Sequence, residues 1–441
     1  MPRAQRGPPW VPVCAAATER HPMYLRRCAT ALAAVTALSA SVAPAALADA
    51  SPSPSPSGSL PAGLFGTADP QYDGVWRQSI ALLAQDAAGY VPADSAVEWL
   101  TSQQCDDGSF MSYRTDVRAS CAKTGPADTN ATGMAVQALA AVRGADSEPV
   151  KDAVAWLESV QNTDGGWGYG PDDPTDANST AVVIGALDAA GLNPEDVRRS
   201  IADPPSNALN RLQLDCSAPS GKAGGFSYQR GKRGELVANP HASAAATLAA
   251  YRKGLAVEPA EGNAGKPVLP DCGETGHFEI GVSPQAAAAQ LSSELTRNGG
   301  YLTVVMPGTD PQPDHGATAL AVIALSAAGY PDAAEEPLNW LAEHHTEWQG
   351  LSGQPAGLGQ LLLAVRAAGG DPEDFGGTDL VAQLNATGPE PRLIEDSNTV
   401  WWAIGTGLVV GAGLGVLVVV LRRRRGDGGA GDGAPAEGNA G

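Results

Sequence analysis

The sequence predicts an all-α protein, an (α/α)6 toroid in which six helical hairpins close into a ring. Apolar residues recur at helical spacing along most of the 441 residues, and loops rich in Gly, Pro and Asp separate these segments. Strand-like alternation is nearly absent. One loop motif and one helix-start motif both repeat along the chain, and such repetition is typical of stacked hairpin units.

Twelve helices are predicted in the middle of the chain. Six of them are rich in small residues and suit an inner ring, because small side chains let helices pack closely on every face. The other six are amphipathic and suit an outer ring. The predicted helices span residues 75–89, 92–104, 130–143, 149–161, 178–190, 204–214, 240–254, 284–297, 316–329, 334–346, 355–368 and 377–386.

The first part of the chain has the pattern of a secretory signal. From Met23, two arginines precede an uncharged apolar run that ends in small residues, as at a cleavage site. We therefore expect a signal-peptide region at residues 1–50, with translation starting at Met23. Residues 51–67 are rich in Ser and Pro and are predicted to form a linker.

A second apolar run lies near the other end of the chain. Residues 400–421 carry no charge, and four arginines follow them. A helix of this length reaches about 33 Å, enough to cross a bilayer, and the arginines favour a cytoplasmic C-terminus. The predicted order is a toroid at 68–388, a short linker at 389–399, one transmembrane helix at 400–421 and a disordered cytoplasmic tail at 422–441. The toroid would then lie outside, as the ectodomain of a single-pass cell-membrane protein.

The charge balance excludes one class of partner. The chain has 28 Lys and Arg against 48 Asp and Glu, a net charge of −20. Several of the arginines lie near the two ends, so the predicted toroid is more acidic still. A surface this negative repels a phosphate backbone, and nucleic acid is excluded as a partner.

Four cysteines fall within the predicted toroid, where an extracellular location favours disulfides. They allow three connectivities. The favoured pairing joins Cys105 to Cys121 within one loop and Cys216 to Cys272 across a long irregular stretch. A zinc site is the alternative, but no CxxC spacing is present.

The loop motif reads W-L-x3-Q-x3-G-x-W at residues 156–167. Residues 99–110 repeat it with Phe110 in the last position, and three partial copies follow. The helix-start motif places an Asp or Asn four residues before a Thr or Ser. It begins at Asp128, Asp176, Asn239 and Asp314.

These two motifs carry a resemblance to known families. The loop motif resembles the repeat of squalene–hopene cyclases and protein prenyltransferases, members of the terpenoid cyclase and protein prenyltransferase superfamily. The helix-start motif is similar to that of the transcobalamin and intrinsic-factor toroids. Together the resemblances cover about residues 68–385 and imply the toroid fold, but this fold hosts enzymes and carriers alike.

The catalytic signatures that the resemblance implies are missing from the chain. The D-x-D-D acid of terpene cyclases is absent, and aromatic residues make up only 5% of the sequence, too few for the aromatic lining that stabilises carbocations. A D-D-x-x-D string at residues 172–176 lies between prolines, in a predicted loop rather than on one helix face. Around Cys272, Thr275 replaces the Gln of the G-C-G-E-Q thioester motif, and the Asp, Cys and His ligands of a prenyltransferase zinc find no match.

The remaining candidate site is the rim of the ring. Repetition places the helix-start residues at equivalent positions around one mouth. Asp and Asn are preferred helix N-caps, so capping is the simplest interpretation. The alternative is a polar lip that binds a ligand. The candidate ligand-binding residues of this lip are Asp128, Asp176, Asn239, His241, Asp314, His315, Trp167, Tyr169, Phe226 and Tyr228.

The sequence leads to one main functional hypothesis and two alternatives. A toroid without catalytic signatures suggests a non-catalytic, membrane-anchored binding protein at the cell surface, with no metal or cofactor expected. The resemblance to cobalamin carriers makes a corrinoid a candidate ligand, and a membrane transporter or another envelope protein a candidate partner. The alternatives are a divergent terpene cyclase or prenyltransferase-like enzyme, and a structural interaction module of the cell envelope.

Overall fold

The helical periodicity of the sequence appears directly in the folded chain. A computed structural model describes residues 61–121, 125–199, 201–259, 265–274, 276–306, 308–349 and 351–393. The predicted signal region, residues 51–60 of the Ser/Pro linker, the apolar run at 400–421 and the tail lie outside these residues. No helix within the described ranges is long and apolar enough to cross a membrane.

The described residues form twelve α-helices that alternate between an inner and an outer position, as predicted. The inner helices are α1 (Gly74–Ala87), α3 (Thr129–Arg143), α5 (Ala177–Ala189), α7 (Pro240–Ala250), α9 (His315–Ala327) and α11 (Pro355–Ala367). The outer helices are α2 (Asp94–Ser102), α4 (Glu148–Ser159), α6 (Pro205–Leu212), α8 (Ser283–Asn298), α10 (Pro331–His344) and α12 (Leu380–Asn385). Two short 3-10 turns, Pro70–Tyr72 and His345–Glu347, accompany them.

The inner helices form a closed ring. Each contacts the next inner helix along the chain, and α11 returns to contact α1. Close approach depends on small residues: a Cβ atom added to Gly359 of α11 would lie 2.7 Å from Ile80 Cγ2 of α1. The Ala-rich composition of these helices therefore explains how six of them fit around one axis.

The outer helices bury one face each. In α4 the buried residues are Val150, Ala153, Trp156 and Leu157, at the spacing of a single helical stripe. Burying a large apolar side chain contributes about 1.5–3 kcal/mol to stability. The Trp-Leu pair of the loop motif thus anchors the outer helix to the ring before the chain turns inward.

Hydrogen bonds connect each loop motif to the helix-start motif that follows it. Gln161 Nε2 donates to the carbonyl oxygen of Gly165 at 2.8 Å, which closes the turn after α4. Trp167 N then donates to Thr180 Oγ1 of α5 at 3.1 Å. The same backbone-to-hydroxyl bond joins Phe110 to Thr132 at 2.9 Å. The Thr of the helix-start motif is therefore the partner of the aromatic residue that ends the loop motif.

Strands are few and short in the described residues. β1 (Tyr90–Val91) pairs antiparallel with β4 (Arg392–Leu393), and β2 (Leu302–Val304) pairs antiparallel with β3 (Gln312–Asp314). The first pair joins the turn after α1 to the segment that follows α12. The second pair extends the loop before α9 into a hairpin.

Both favoured disulfide pairings are confirmed. Cys105 bonds to Cys121 and Cys216 bonds to Cys272, with Cα atoms 5.8 and 6.0 Å apart. The first bond closes the loop between α2 and α3. The second bond fastens the loop after α6 to the irregular stretch before α8, which has little regular structure to hold it.

Candidate functional site

The helix-start residues cap their helices. Asp128 Oδ1 accepts a hydrogen bond from Ala131 N at 2.9 Å, and Asp176 Oδ1 accepts one from Ser179 N at 2.7 Å. Asn239 and Asp314 accept equivalent bonds at 2.8 Å. Each side chain satisfies one of the N–H groups that a helix start leaves unpaired. The four residues ring the mouth, which we define as the end where the inner helices begin.

Two of the predicted lip residues do not reach the mouth. Trp167 and Phe226 are buried in the core. Trp167 Nε1 donates to the carbonyl oxygen of Leu157 on α4 at 2.7 Å, so its indole lies between the inner and outer rings. The prediction that Trp167 and Phe226 belong to the lip is wrong. The backbone N–H of each residue bonds to a hydroxyl of the next inner helix, and this bond holds the residue in the core.

Two tyrosines do lie at the rim. Tyr169 is 50% exposed and Tyr228 is 42% exposed. Ser112 Oγ donates to Asp128 Oδ2 at 3.0 Å and lies 3.5 Å from the Tyr169 hydroxyl. Partial burial raises the pKa of Tyr228, and the nearby charge of Asp176 raises it further. Burial also raises the pKa of Tyr169. Each tyrosine keeps its proton and stands beside a capping carboxylate.

His315 faces away from the axis of the ring. Its Nε2 lies 3.1 Å from the carbonyl oxygen of His344, and its ring contacts those of Trp340 and Trp348. Desolvation lowers its pKa. His315 follows its cap by one residue, whereas His241 follows Asn239 by two, and each residue of a helix turns the side chain by about 100°. The two histidines therefore do not share one lip.

A cavity of about 220 Å³ lies inside the ring, and all six inner helices contribute to its wall. Side chains at helical spacings of four and seven residues place the lining in layers below the mouth. The lining residues are Trp76, Ile80, Asn130, Met134, Gln137, Asn178, Ala181, Val182, Gly185, His241, Ala245, Leu248, Lys253, Gly254, Leu255, Leu320 and Gln360.

The upper layer, nearest the mouth, consists of Trp76, Asn130, Asn178 and His241. The last three follow a capping residue by two positions. Asn130 Oδ1 and Asn178 Oδ1 are buried and have no hydrogen-bond partner. His241 is exposed to the mouth but surrounded by protein, and desolvation lowers its pKa from the usual 6.5, against the opposing effect of the Asp314 charge. Its imidazole is therefore neutral at pH 7.

The middle layer is apolar. It includes Ile80, Met134, Ala245 and Leu320, all of them buried. These residues follow the upper-layer position of their helix by four residues, so each lies one turn deeper. Gln360 adds an amide at this depth, and its Nε2 donates to the carbonyl oxygen of Gly316 at 3.0 Å.

The floor is the segment 253–255, which crosses the end of the cavity opposite the mouth. Gln137 Oε1 accepts from Leu255 N at 2.9 Å. Asp188 accepts from Lys253 Nζ at 3.2 Å and from Gly254 N at 3.3 Å. α7 ends at Ala250, earlier than predicted, because Arg252 takes a left-handed φ of 58° that turns the chain under the ring.

Most of this lining was not predicted from the sequence. Trp76, Asn130, Asn178 and Gln360 were not among the candidates, although Asn130 and Asn178 stand within the quoted helix-start motif. The signal that could have found Asn130 and Asn178 is position, since the second residue after each of these two caps faces the axis. The Asp or Asn predicted to bind a ligand at each helix start is instead the capping residue.

Known metal-dependent arrangements do not form in the described residues. Asp173 Oδ2 accepts from Gly170 N at 2.9 Å, while Asp176 turns away to cap α5. The D-D-x-x-D carboxylates thus do not converge. In the described ranges no group of three or more His, Cys, Asp or Glu side chains is placed to hold a metal ion.

Comparison with known proteins confirms the predicted resemblance to prenyltransferase toroids. Residues 76–236 match the family profile of the prenyltransferase alpha-alpha toroid domain. A curated relative, drimenyl diphosphate synthase from Streptantibioticus cattleyicolor, is 30% identical over 138 residues, which is 31% of this chain and 25% of the synthase. The chain thus matches about a quarter of that relative's length. The similarity to transcobalamin toroids stays a prediction.

Among solved structures, type II terpene cyclase MstE from Scytonema aligns at 14% identity and a TM-score of 0.43, over 70% of this chain and 92% of the cyclase. A protein from Actinoplanes aligns at 17% identity and a TM-score of 0.43, over 69% of this chain and 92% of that one. Protein geranylgeranyltransferase-I from Candida albicans, complexed with GGPP, aligns at 15% identity and a TM-score of 0.37, over 54% and 61%.

The expectation of a non-catalytic binding protein is wrong. The relative that shares 30% identity is an enzyme, a diphosphate synthase. The expectation depended on missing motifs and on the low aromatic content, and both describe only which catalytic groups are absent. Neither could reveal that the inner helices enclose an apolar cavity.

Proposed function

We propose that this toroid is an isoprenoid-processing enzyme, a divergent relative of terpene cyclases and prenyltransferases that holds its substrate in the axial cavity. The observation that carries the proposal is the apolar cavity within a chain whose curated relative is a diphosphate synthase. A buried apolar middle layer favours a hydrocarbon chain, because such a chain leaves water for an apolar wall.

The upper layer supplies two groups suited to cationic isoprenoid chemistry. Trp76 brings an aromatic ring, whose negative face attracts positive charge. His241, neutral at pH 7, can accept a proton from a carbon next to a cationic centre, and the C–H electron pair then forms a double bond. Since D-x-D-D is absent from the sequence, this proposal assigns no role to that acid.

We also propose that the toroid acts outside the cell, after a signal region at residues 1–50 and before a membrane-spanning helix at 400–421. The two disulfides support an oxidising compartment. Protease treatment of intact cells is expected to degrade the toroid and to spare a C-terminal tag. Protection of the toroid in intact cells would contradict this location.

The enzymatic proposal is tested by incubating the full chain, purified in detergent, with isoprenoid diphosphates and with neutral isoprenoids. Products are identified by mass spectrometry. Ala245→Phe fills the middle layer of the cavity and is expected to abolish turnover. Ala141→Phe makes the same change at an exposed position of α3 and is expected to leave turnover unchanged.

Thermal melting of both variants separates loss of activity from loss of folding. If the wild-type protein converts no isoprenoid of either kind, the proposed function is wrong. Equal turnover by wild type and a folded Ala245→Phe variant would show that the cavity is not the site.

A further inference from the structure

The mouth of the cavity carries negative rather than positive charge. Asp128, Asp176 and Asp314 cap three of the inner helices around it. Among the lining residues the single Lys or Arg is Lys253, which lies at the floor, 3.2 Å from Asp188. A diphosphate at the mouth would therefore lie near the charge of these carboxylates, two of them buried, without a cation among the upper lining residues to offset it.

The partial positive charges at the helix N-termini do not offset the negative charge at the mouth. The inner helices run parallel and point their N-terminal ends, which carry partial positive charge, toward the mouth. In α3, α5 and α9, however, the first turn is already bonded to an Asp carboxylate. In these three helices the cap thus occupies one of the N–H groups that would otherwise bind an anion.

The upper layer instead lacks hydrogen-bond donors for its acceptors. Asn130 Oδ1 and Asn178 Oδ1 are buried without a partner. An unsatisfied buried acceptor is destabilising. Both residues line the cavity, so rotation of either side chain would turn its amide oxygen toward a ligand hydroxyl, which could donate to it. The carboxylates nearby do not repel a neutral group.

The size of the cavity limits the chain that follows the hydroxyl. Its 220 Å³ exceeds the roughly 150 Å³ of an engineered cavity that binds benzene. It is smaller than the roughly 300–1,000 Å³ of pockets that enclose drug-sized ligands. A short isoprenoid fits this interval, with its apolar end on Met134 and Leu320.

We infer that the cavity accepts a short, uncharged isoprenoid alcohol, with its hydroxyl at Asn130 and Asn178, in preference to the corresponding diphosphate. This inference rests on the proposed function, because it takes the isoprenoid class from it and adds the chemistry of the head group. The inferred preference for an alcohol distinguishes this chain from relatives that are named for a diphosphate.

Direct binding tests the inference without requiring turnover. Geraniol, geranyl diphosphate and the hydrocarbon myrcene are titrated into the full chain in detergent, and binding is followed by calorimetry. Geraniol is expected to bind at least about tenfold more tightly than geranyl diphosphate, with no gain for the diphosphate at low salt.

A double variant identifies the head-group contact. Asn130→Leu with Asn178→Leu keeps side chains of similar size and removes both acceptors. It is expected to weaken geraniol binding by about tenfold and to leave myrcene binding equal or tighter. Asn339→Leu, at an exposed position of α10, is the matched control and is expected to change neither.

The outcomes separate the two proposals. Tighter binding of geranyl diphosphate, or geraniol binding unchanged by the double variant, overturns the inference even if isoprenoids are turned over. Geraniol binding at these asparagines without turnover of any isoprenoid supports the inference and contradicts the enzymatic proposal alone.

Discussion

The two sides of one helical turn have different roles in this ring. Asp176 faces the backbone and caps α5, whereas Asn178, two residues later, faces the cavity. An Asp or Asn side chain makes the capping hydrogen bond in four inner helices. The position two residues later is Asn130, Asn178, His241 or Gly316. The uniform chemistry of the cap position indicates a structural role. The varied chemistry of the position two residues later indicates a ligand site.

The physical cause of this division is the helical rotation. Two residues turn a side chain by about 200°, from the outside of the ring to its axis. The same short motif therefore contains both the group that holds the helix and the group that meets a ligand. Changes on the first side should alter stability, and changes on the second should alter binding with little effect on folding.

The largest loss is expected on the structural side, at the glycine of the loop motif. Gly165 has a φ of 95°, and a Cβ atom there would lie 2.5 Å from the carbonyl oxygens of Asp203 and Pro204. Gly165→Ala should lower the free energy of unfolding by about 3 kcal/mol or more. Chemical denaturation measures this change.

Gly191 provides the matched control. It has a φ of 71° but no atom within 4 Å of the position of an added Cβ. Gly191→Ala should cost only about 1–2 kcal/mol, the penalty of a left-handed backbone alone. Equal losses at the two glycines would show that the packing of Gly165 against the chain before α6 is not important.

A smaller loss is expected at the cap itself. Asp176→Ala should lower stability by about 1–2 kcal/mol, because the N–H of Ser179 loses its acceptor. Asp176→Asn should retain nearly all stability, since Asn239 caps α7 in the same way. Melting temperatures of the two variants check this order, and an equally damaging Asn would indicate that the negative charge is required.

The smallest effect on stability is expected on the cavity side, at His241. Burial lowers its pKa, so below about pH 6.5 the unfolded chain binds a proton that the folded chain does not bind. This group therefore makes stability fall as pH decreases through that range. His241→Gln should show a shallower decrease in melting temperature between about pH 7.5 and pH 5.5.

His315 also has a lowered pKa, but it is present in both proteins, so the difference between their profiles reports His241. Parallel profiles would mean that His241 is protonated as readily in the folded ring as in the unfolded chain. In that case a neutral imidazole at the mouth would have no support.

The sequence predicted the ring well because its signals are local. The twelve helices follow from apolar spacing, and the pairings of Cys105 with Cys121 and of Cys216 with Cys272 follow from their positions in loops. The motif glutamines and glycines also act within a few residues of one another, as Gln161 and Gly165 do.

The cavity could not be predicted in the same way, because its wall combines one or more residues from each of six helices. Nothing in the local sequence of Leu320 or Gln360 distinguishes an axial position from an ordinary buried one. Trp167 and Phe226 were misplaced for a related reason. Their neighbouring loops suggested the mouth, whereas bonds to Thr180 and Ser243 draw them into the core.

The segment beneath the ring has a kinetic consequence. Since residues 253–255 cross one end of the cavity, a molecule enters and leaves through the same opening. Substrate and product cannot pass each other in so small a volume. If the ring turns over an isoprenoid as proposed, each product must depart before the next substrate arrives, and an accumulating product should compete directly with substrate for the free protein.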